Sequence, residues 1–83
     1  MKGKARVTLY TKPGCHLCEE AKQQMHAAAC AELYELEEVN IETDPEIFER
    51  YKHSIPVIAI NGSETFKYRI TPADFRKAVQ DAR

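Results

Sequence analysis

The sequence predicts an α/β fold: a four-stranded mixed sheet in the order β-α-β-α-β-β-α, with helices on both faces. Three observations carry that prediction. An alternating, β-rich run at Ala5 to Tyr10 hands over to an apolar helical stripe and then to a second strand, and a strand–helix–strand crossover implies a parallel, right-handed pair. Pro56-Val57-Ile58-Ala59-Ile60 is nearly all apolar, as expected of a strand covered on both faces. Asn61-Gly62 follows at once, and because both residues tolerate positive φ the chain is expected to turn back there as a hairpin. With 83 residues, 43% of them hydrophobic, the chain has the size of one small layered domain over residues 1–83.

The elements follow in order. Thr11-Lys12-Pro13-Gly14 reads as a turn, and Pro13-Gly14 keeps the next helix from starting early. From Cys15 to about Ala31 the residues are helical: Leu17, Ala21, Met25 and Ala28 recur at three-to-four spacing, while Glu19, Glu20, Lys22, Gln23 and Gln24 face away. Leu36, Val39 and Ile41 mark a second strand, whose acids Glu35, Glu37 and Glu38 suit an exposed sheet edge, where charge discourages unwanted pairing. Asp44-Pro45 has the form of a helix start, with Asp44 as N-cap, Pro45 in the first turn, and Ile47, Phe48 and Tyr51 as the buried face. After the hairpin, Glu64 to Ile70 is expected to return as an antiparallel strand with Phe66 and Tyr68 on one face. Thr71-Pro72-Ala73-Asp74 then opens a last helix with a capping hydroxyl, a first-turn proline and an acid at the positive end. Phe75, Val79 and Ala82 form its inner stripe.

Composition narrows the partners. Charged residues make up 30% of the chain, the formal net charge is −1, and the 12 Lys and Arg are dispersed, so neither a nucleic-acid nor a membrane surface is indicated. No apolar run approaches the ~20 residues that span a bilayer. Met1-Lys2-Gly3-Lys4 leads directly into the first strand without a signal-peptide core. The expectation is a cytoplasmic monomer. Three cysteines, an odd number, speak against a disulfide framework and for a reducing compartment, where such thiols serve redox or metal chemistry.

Cys15-His16-Leu17-Cys18 is the motif that carries chemistry. Two thiols three residues apart, where a strand hands over to a helix, have the layout of a dithiol redox site. Unpaired N–H groups and the positive end of the helix dipole stabilise a thiolate there, which lets the first cysteine act as a nucleophile near neutral pH. The second lies one turn along, within reach to attack a mixed disulfide and release the product.

With Tyr10-Thr11-Lys12-Pro13-Gly14-Cys15-His16-Leu17-Cys18 and Ile55-Pro56-Val57-Ile58, the chain resembles the thioredoxin fold, and most closely its glutaredoxin-like branch. Asp44-Pro45-Glu46-Ile47-Phe48-Glu49-Arg50-Tyr51 is similar to a family of small bacterial glutaredoxin-like proteins. The resemblance implies a thiol-disulfide oxidoreductase acting on protein or small-molecule disulfides, with Cys15 as attacking and Cys18 as resolving thiol. It implies that Pro56 is a cis-proline facing the dithiol, against the plainer reading of a strand-initiating proline. The Ile55 backbone would then point at the dithiol and pair with an extended substrate. His16 either supports the Cys15 thiolate or is an exposed polar residue. Lys12 supports a thiolate or a substrate carboxylate, as the matching lysine does with glutathione in glutaredoxins, or is a solvated surface lysine. Leu17 packs or rims the site. No cofactor is expected to stay bound, and glutathione or a flavin disulfide reductase would supply electrons. The alternatives are a non-catalytic redox-sensing or peptide-binding module of the same fold, and a glutathione-assisted iron–sulfur cluster binder.

The chain departs from its relatives in three places. Phe66-Lys67-Tyr68-Arg69-Ile70-Thr71 lacks the Gly-Gly pair with which glutathione-dependent glutaredoxins grip the tripeptide, although Arg69 or the helix start at Thr71 could bind a carboxylate. There is no tryptophan and no Gly-Pro between the cysteines, as thioredoxins have, and Leu9 falls roughly where their buried acid would be. The third thiol, Cys30, would lie ~18 Å along a continuous helix from Cys18 at 1.5 Å per residue, beyond the ~7 Å between Cα atoms that a disulfide tolerates. It is expected to be a half-buried apolar residue, with a regulatory or intermolecular thiol as the alternative. The same distance opposes a zinc site of Cys15, Cys18, His26 and Cys30, whose ligands must meet at ~2 Å.

Overall fold

The structure is a computed structural model that describes residues 3–82. Met1 and Lys2, read above as leading into the first strand, and Arg83 lie outside the described residues. The chain forms β1 (Ala5–Thr11), α1 (His16–Ala27), β2 (Tyr34–Asn40), α2 (Pro45–Tyr51), β3 (Val57–Ile60), β4 (Ser63–Lys67) and α3 (Pro72–Ala82). Short 3₁₀ turns at Ala31–Leu33 and Ile41–Thr43 flank β2. This is the predicted order. The sheet runs β2-β1-β3-β4, with β1 and β2 parallel and the other two pairings antiparallel.

Successive strand residues face opposite sides of a sheet, and each side has its own apolar cluster. Val7 and Leu9 of β1 and Ile58 and Ile60 of β3 join Ala21 and Met25 of α1 and Phe75 and Val79 of α3. On the other side Val57 and the half-buried Tyr10 join Tyr51 of α2. No charged or polar side chain among the described residues is buried. No helix among them is long and apolar enough to cross a membrane.

The predicted signals work locally. Asp44 Oδ1 accepts from the N–H groups of Glu46 (2.9 Å) and Ile47 (3.4 Å), and Thr71 Oγ1 accepts from Asp74 N–H (3.2 Å). Asn61 and Gly62 sit at φ 52° and 86°, the all-positive pair of a hairpin turn. Asn61 also ties three elements together: Oδ1 accepts from Arg6 N–H (2.8 Å), its own N–H donates to Arg6 C=O (2.7 Å), and Nδ2 donates to Ala82 C=O (2.9 Å). The acids of β2 lie exposed on the sheet edge.

Three expectations are corrected. First, α1 stops at Ala27 rather than near Ala31. Ala29 turns the chain at φ 55°, and Arg76 of α3 donates through Nε (2.8 Å) and a second guanidinium nitrogen to Ala28 C=O. Alanine carries no stop signal; a contact from 48 residues away satisfies the end of the helix. Second, Ile41 lies in a 3₁₀ turn, fully buried, while Leu36 on the edge strand is 43% exposed. An edge strand has a neighbour on one side only, so less of its face is covered. Third, β4 ends at Lys67 and Tyr68 turns away at φ 65°, so Phe66 packs on the main core while Tyr68 is exposed. The chain must leave the sheet there to begin α3. The β3–β4 pairing is also irregular, since Ile58 pairs with Phe66 but Ala59 with Glu64, which leaves Thr65 as the extra residue of a bulge.

Candidate dithiol site

The site is built by a turn. Lys12 to Cys15 has Pro13 in second place, Gly14 in third at φ 79°, and a closing bond from Cys15 N–H to Lys12 C=O (3.4 Å), the composition of a type II turn. A Cβ at Gly14 would meet no atom within 4 Å, so glycine is needed there for its backbone, not for space. The turn delivers Cys15 in an extended conformation (φ −84°, ψ 111°) as N-cap of α1. Its sulfur does what a capping oxygen does elsewhere, accepting from Cys18 N–H at 3.3 Å.

Cys18 Sγ donates to Cys15 Sγ at 2.7 Å. Two donors thus converge on one sulfur, an arrangement that accommodates an anion. The thiols differ in access: Cys15 is half-buried and Cys18 is 1% exposed. Burial, and then the bond to Cys15, push the Cys18 thiol up to about 11; the Thr11 side chain and the Lys12 backbone pull the other way. Cys18 is therefore the protonated donor of the pair.

Around Cys18 lie Ile41, Tyr51, Ile55 and Val57, with Tyr10, Cys15, Ile47 and Phe48 packed against them. Tyr10 and Tyr51 stack with ring centroids 4.3 Å apart. Tyr51 Oη donates to Glu64 Oε2 at 2.6 Å, and Arg50 reaches the same oxygen at 3.4 Å. Burial first, then this bond to Glu64, push the Tyr51 phenol up to about 12. The bond clips α2 to β4 behind the dithiol.

The Ile55–Pro56 peptide is cis, as the resemblance implies. Both residues are buried, and Ile55 shares the cluster of Cys18 and Cys15. Of the candidate site residues, the structure brings Cys15, Cys18 and Ile55 together, with Pro56 next in the chain. Leu17 is half-buried on the first turn of α1, while Lys12 and His16 are exposed on either side of Cys15. Cys30 belongs to the opposite cluster and is 2% exposed, more buried than expected; burial raises its thiol as well. Its separation from the pair therefore comes from lying across the sheet, not from length along a helix. Among the described residues no group of three or more His, Cys, Asp and Glu is placed to hold a metal ion, and His26 is exposed.

Tyr51 is buried and Ile47 and Phe48 are half-buried, on the face expected of them, but their meeting with Tyr10 around Cys18 is not legible in the sequence. Tyr10 follows Val7 and Leu9 in opposite parity, which was enough to place it on the other face, next to the dithiol turn. Nothing local in Tyr51 announced a stack with Tyr10, and nothing in Thr11 announced its influence on Cys18.

The Glutaredoxin-like domain family (DUF836) matches residues 6–80. The chain belongs to that family. The glutaredoxin-like protein YDR286C homolog of Dictyostelium discoideum is 31% identical over 70 residues, covering 77% of this chain and 65% of that protein; the chain spans just under two thirds of that relative's length. The structural-genomics target XcR50 from X. campestris superposes with a TM-score of 0.78 at 22% identity, covering 93% of this chain and 99% of the other. Thioredoxin-2 of a malaria parasite superposes with a TM-score of 0.71 at 15% identity, covering 98% and 85%. These structural likenesses establish the thioredoxin fold for this glutaredoxin-like chain.

Proposed function

We propose that this glutaredoxin-like chain is a thiol-disulfide oxidoreductase in which Cys15 is the nucleophile and Cys18 the resolving thiol. One observation carries the reading: an accessible sulfur at a helix N-terminus accepts from the S–H of a buried second thiol at 2.7 Å. The ~2.05 Å of an S–S bond is a side-chain adjustment away.

The Cys15 thiolate attacks one sulfur of a substrate disulfide, forms a mixed disulfide, and expels the other sulfur as a thiolate that takes up a proton. Cys18 loses its proton and attacks Cys15 Sγ, which forms the Cys15–Cys18 disulfide and releases the second substrate thiol. Two electrons pass from the dithiol to the substrate. Glutathione or a flavin disulfide reductase returns them, and no resident cofactor takes part. The high proton affinity of Cys18 suits it to wait as donor and to react only when Cys15 no longer carries charge.

An extended substrate docks on the Ile55–Pro56 ledge. Pro56 C=O is taken by Tyr68 N–H (2.8 Å), and among the described residues no backbone bond reaches Ile55 N–H or C=O, the groups that strand addition uses. Lys12, His16 and Leu17 rim the approach to Cys15.

The test is a redox titration of Cys15–Cys18 in a glutathione buffer, read by thiol alkylation and mass spectrometry. A reversible intramolecular disulfide at ~−170 to −280 mV is expected, the range of working oxidoreductases. A glutathione adduct stalled on Cys15, or no disulfide at all, would defeat the proposal in favour of a cluster-binding or non-catalytic role.

A further inference from the structure

We propose that Tyr68 is a positioning residue that straps the Ile55–Pro56 ledge in place for an extended, disulfide-bearing peptide; the inference rests on the oxidoreductase reading above. Tyr68 stands in the left-handed region at φ 65°, a conformation an aromatic residue rarely adopts. Such a backbone persists only where its surroundings over-determine it. Here three bonds do so. Tyr68 N–H donates to Pro56 C=O (2.8 Å), its hydroxyl donates to His53 C=O (3.2 Å), and the next residue closes the bend from Arg69 N–H to Lys67 C=O (2.7 Å).

The first two bonds grip carbonyls three residues apart. With its backbone at Pro56 and its hydroxyl at His53, the Tyr68 side chain runs along the segment that contains Ser54 and Ile55. The inner side of that segment is fixed independently. Ser54 N–H donates to Tyr51 C=O (2.8 Å), and the Ile55 side chain packs in the Cys18 cluster. The ledge is thus clamped between Tyr51 within and Tyr68 without. Tyr68 is nevertheless 48% exposed, although tethered at both ends, so it offers a fixed aromatic surface to a side chain of a peptide lying on the ledge. A small disulfide that reaches only Cys15 has no use for that surface.

The experiment is single-turnover oxidation of the pre-reduced chain, which needs no electron donor. One oxidant is a two-chain synthetic peptide disulfide with about ten residues per chain; the other is hydroxyethyl disulfide. Tyr68→Phe removes the bond to His53 and keeps the backbone. Tyr68→Gly removes the ring, keeps the N–H, and relieves the backbone. For Tyr68→Phe we expect the half-saturating peptide concentration to rise about 3- to 10-fold, the factor that one lost hydrogen bond is worth. Tyr68→Gly should raise it further while its melting temperature holds or increases. The limiting rate, the Cys15–Cys18 potential and the rate with hydroxyethyl disulfide should stay at wild-type values for both variants. Unchanged half-saturation in both variants, or equal losses toward both oxidants, would overturn the inference while leaving the oxidoreductase reading intact. A wild-type chain that oxidises with neither disulfide would fell the parent reading, and this inference with it.

Discussion

The two sides of the sheet are built from the same strands and to different ends. On one side α1 and α3 press Ala21, Met25, Phe75 and Val79 onto Val7, Leu9, Ile58 and Ile60. That cluster is mostly aliphatic and is centred on Phe75, with Tyr34 edge-on to it at 5.1 Å. On the other side, seven-residue α2 covers one end of the sheet, over a cluster that holds two stacked tyrosines, Ile55 and the Cys15–Cys18 pair. Each side holds a buried cysteine whose thiol is raised by burial, Cys30 on the first and Cys18 on the second. Burial alone therefore does not distinguish the two cysteines. What separates them is a second sulfur at 2.7 Å, delivered by the four-residue turn ending at Cys15.

The strongest way to break this comparison is to exchange the fates of its cysteines. Cys15→Ser should lower disulfide reduction by roughly a thousandfold or more, because a hydroxyl is not ionised at neutral pH. Cys30→Ala should leave the rate at the wild-type level and lower only the melting temperature. Comparable losses of rate in the two variants would erase the distinction between the sides. Cys18→Ser should instead accumulate a mixed disulfide on Cys15, visible by mass spectrometry.

Stability should divide the other way. Phe75→Ala, at the centre of the α1/α3 side and 0% exposed, is expected to cost about 3–5 kcal/mol in urea unfolding. Tyr51→Phe, on the dithiol side, removes the bond to Glu64 and should cost about 1 kcal/mol. Equal costs would mean that the two clusters share the work of holding the fold.

A pH titration sharpens the contrast within the dithiol side. Cys18 ionises near 9.0 when unconstrained and near 11 in the folded, reduced chain, so the unfolded state gives up its proton first. The stabilisation is complete below pH 9 and is lost as pH rises toward 11. Melting temperature of the reduced chain should fall across that window, and the Cys15–Cys18 disulfide form, which has no thiol there, should fall less steeply. Tyr51, raised to about 12 from 10.0, adds a loss at higher pH in both forms. Identical slopes for the two forms would contradict a buried, protonated Cys18.

The smallest effect is expected at Ala29, which holds φ 55° at the end of α1. Ala29→Gly should stabilise the chain by about 0.5–1 kcal/mol, since glycine reaches that conformation without the Cβ clash, and should leave the dithiol untouched. A loss of stability on calorimetry would show that the helix end is set by something other than backbone cost.

Much of this molecule is written in short stretches of its sequence. Alternation at Ala5 to Tyr10, the wholly apolar Val57 to Ile60, the caps Asp44 and Thr71, and the Asn61-Gly62 turn each determine their element, because strand faces, helix caps and positive-φ turns are decided by a few neighbouring residues. Pro13-Gly14 before Cys15 determined in the same way that a thiol would stand at the start of a helix. Tertiary structure decided the rest. Arg76 ends α1 by bonding Ala28 C=O from across the chain. Packing against α2 puts Tyr10 on Tyr51, and departure of the chain toward α3 bends Tyr68 away from the strand expected of it. Burial of Cys18, and with it the difference in access between two chemically identical thiols, also belongs to this second group. The desolvation that raises one thiol comes from Ile41, Tyr51, Ile55 and Val57, residues that adjoin it only once the chain has folded.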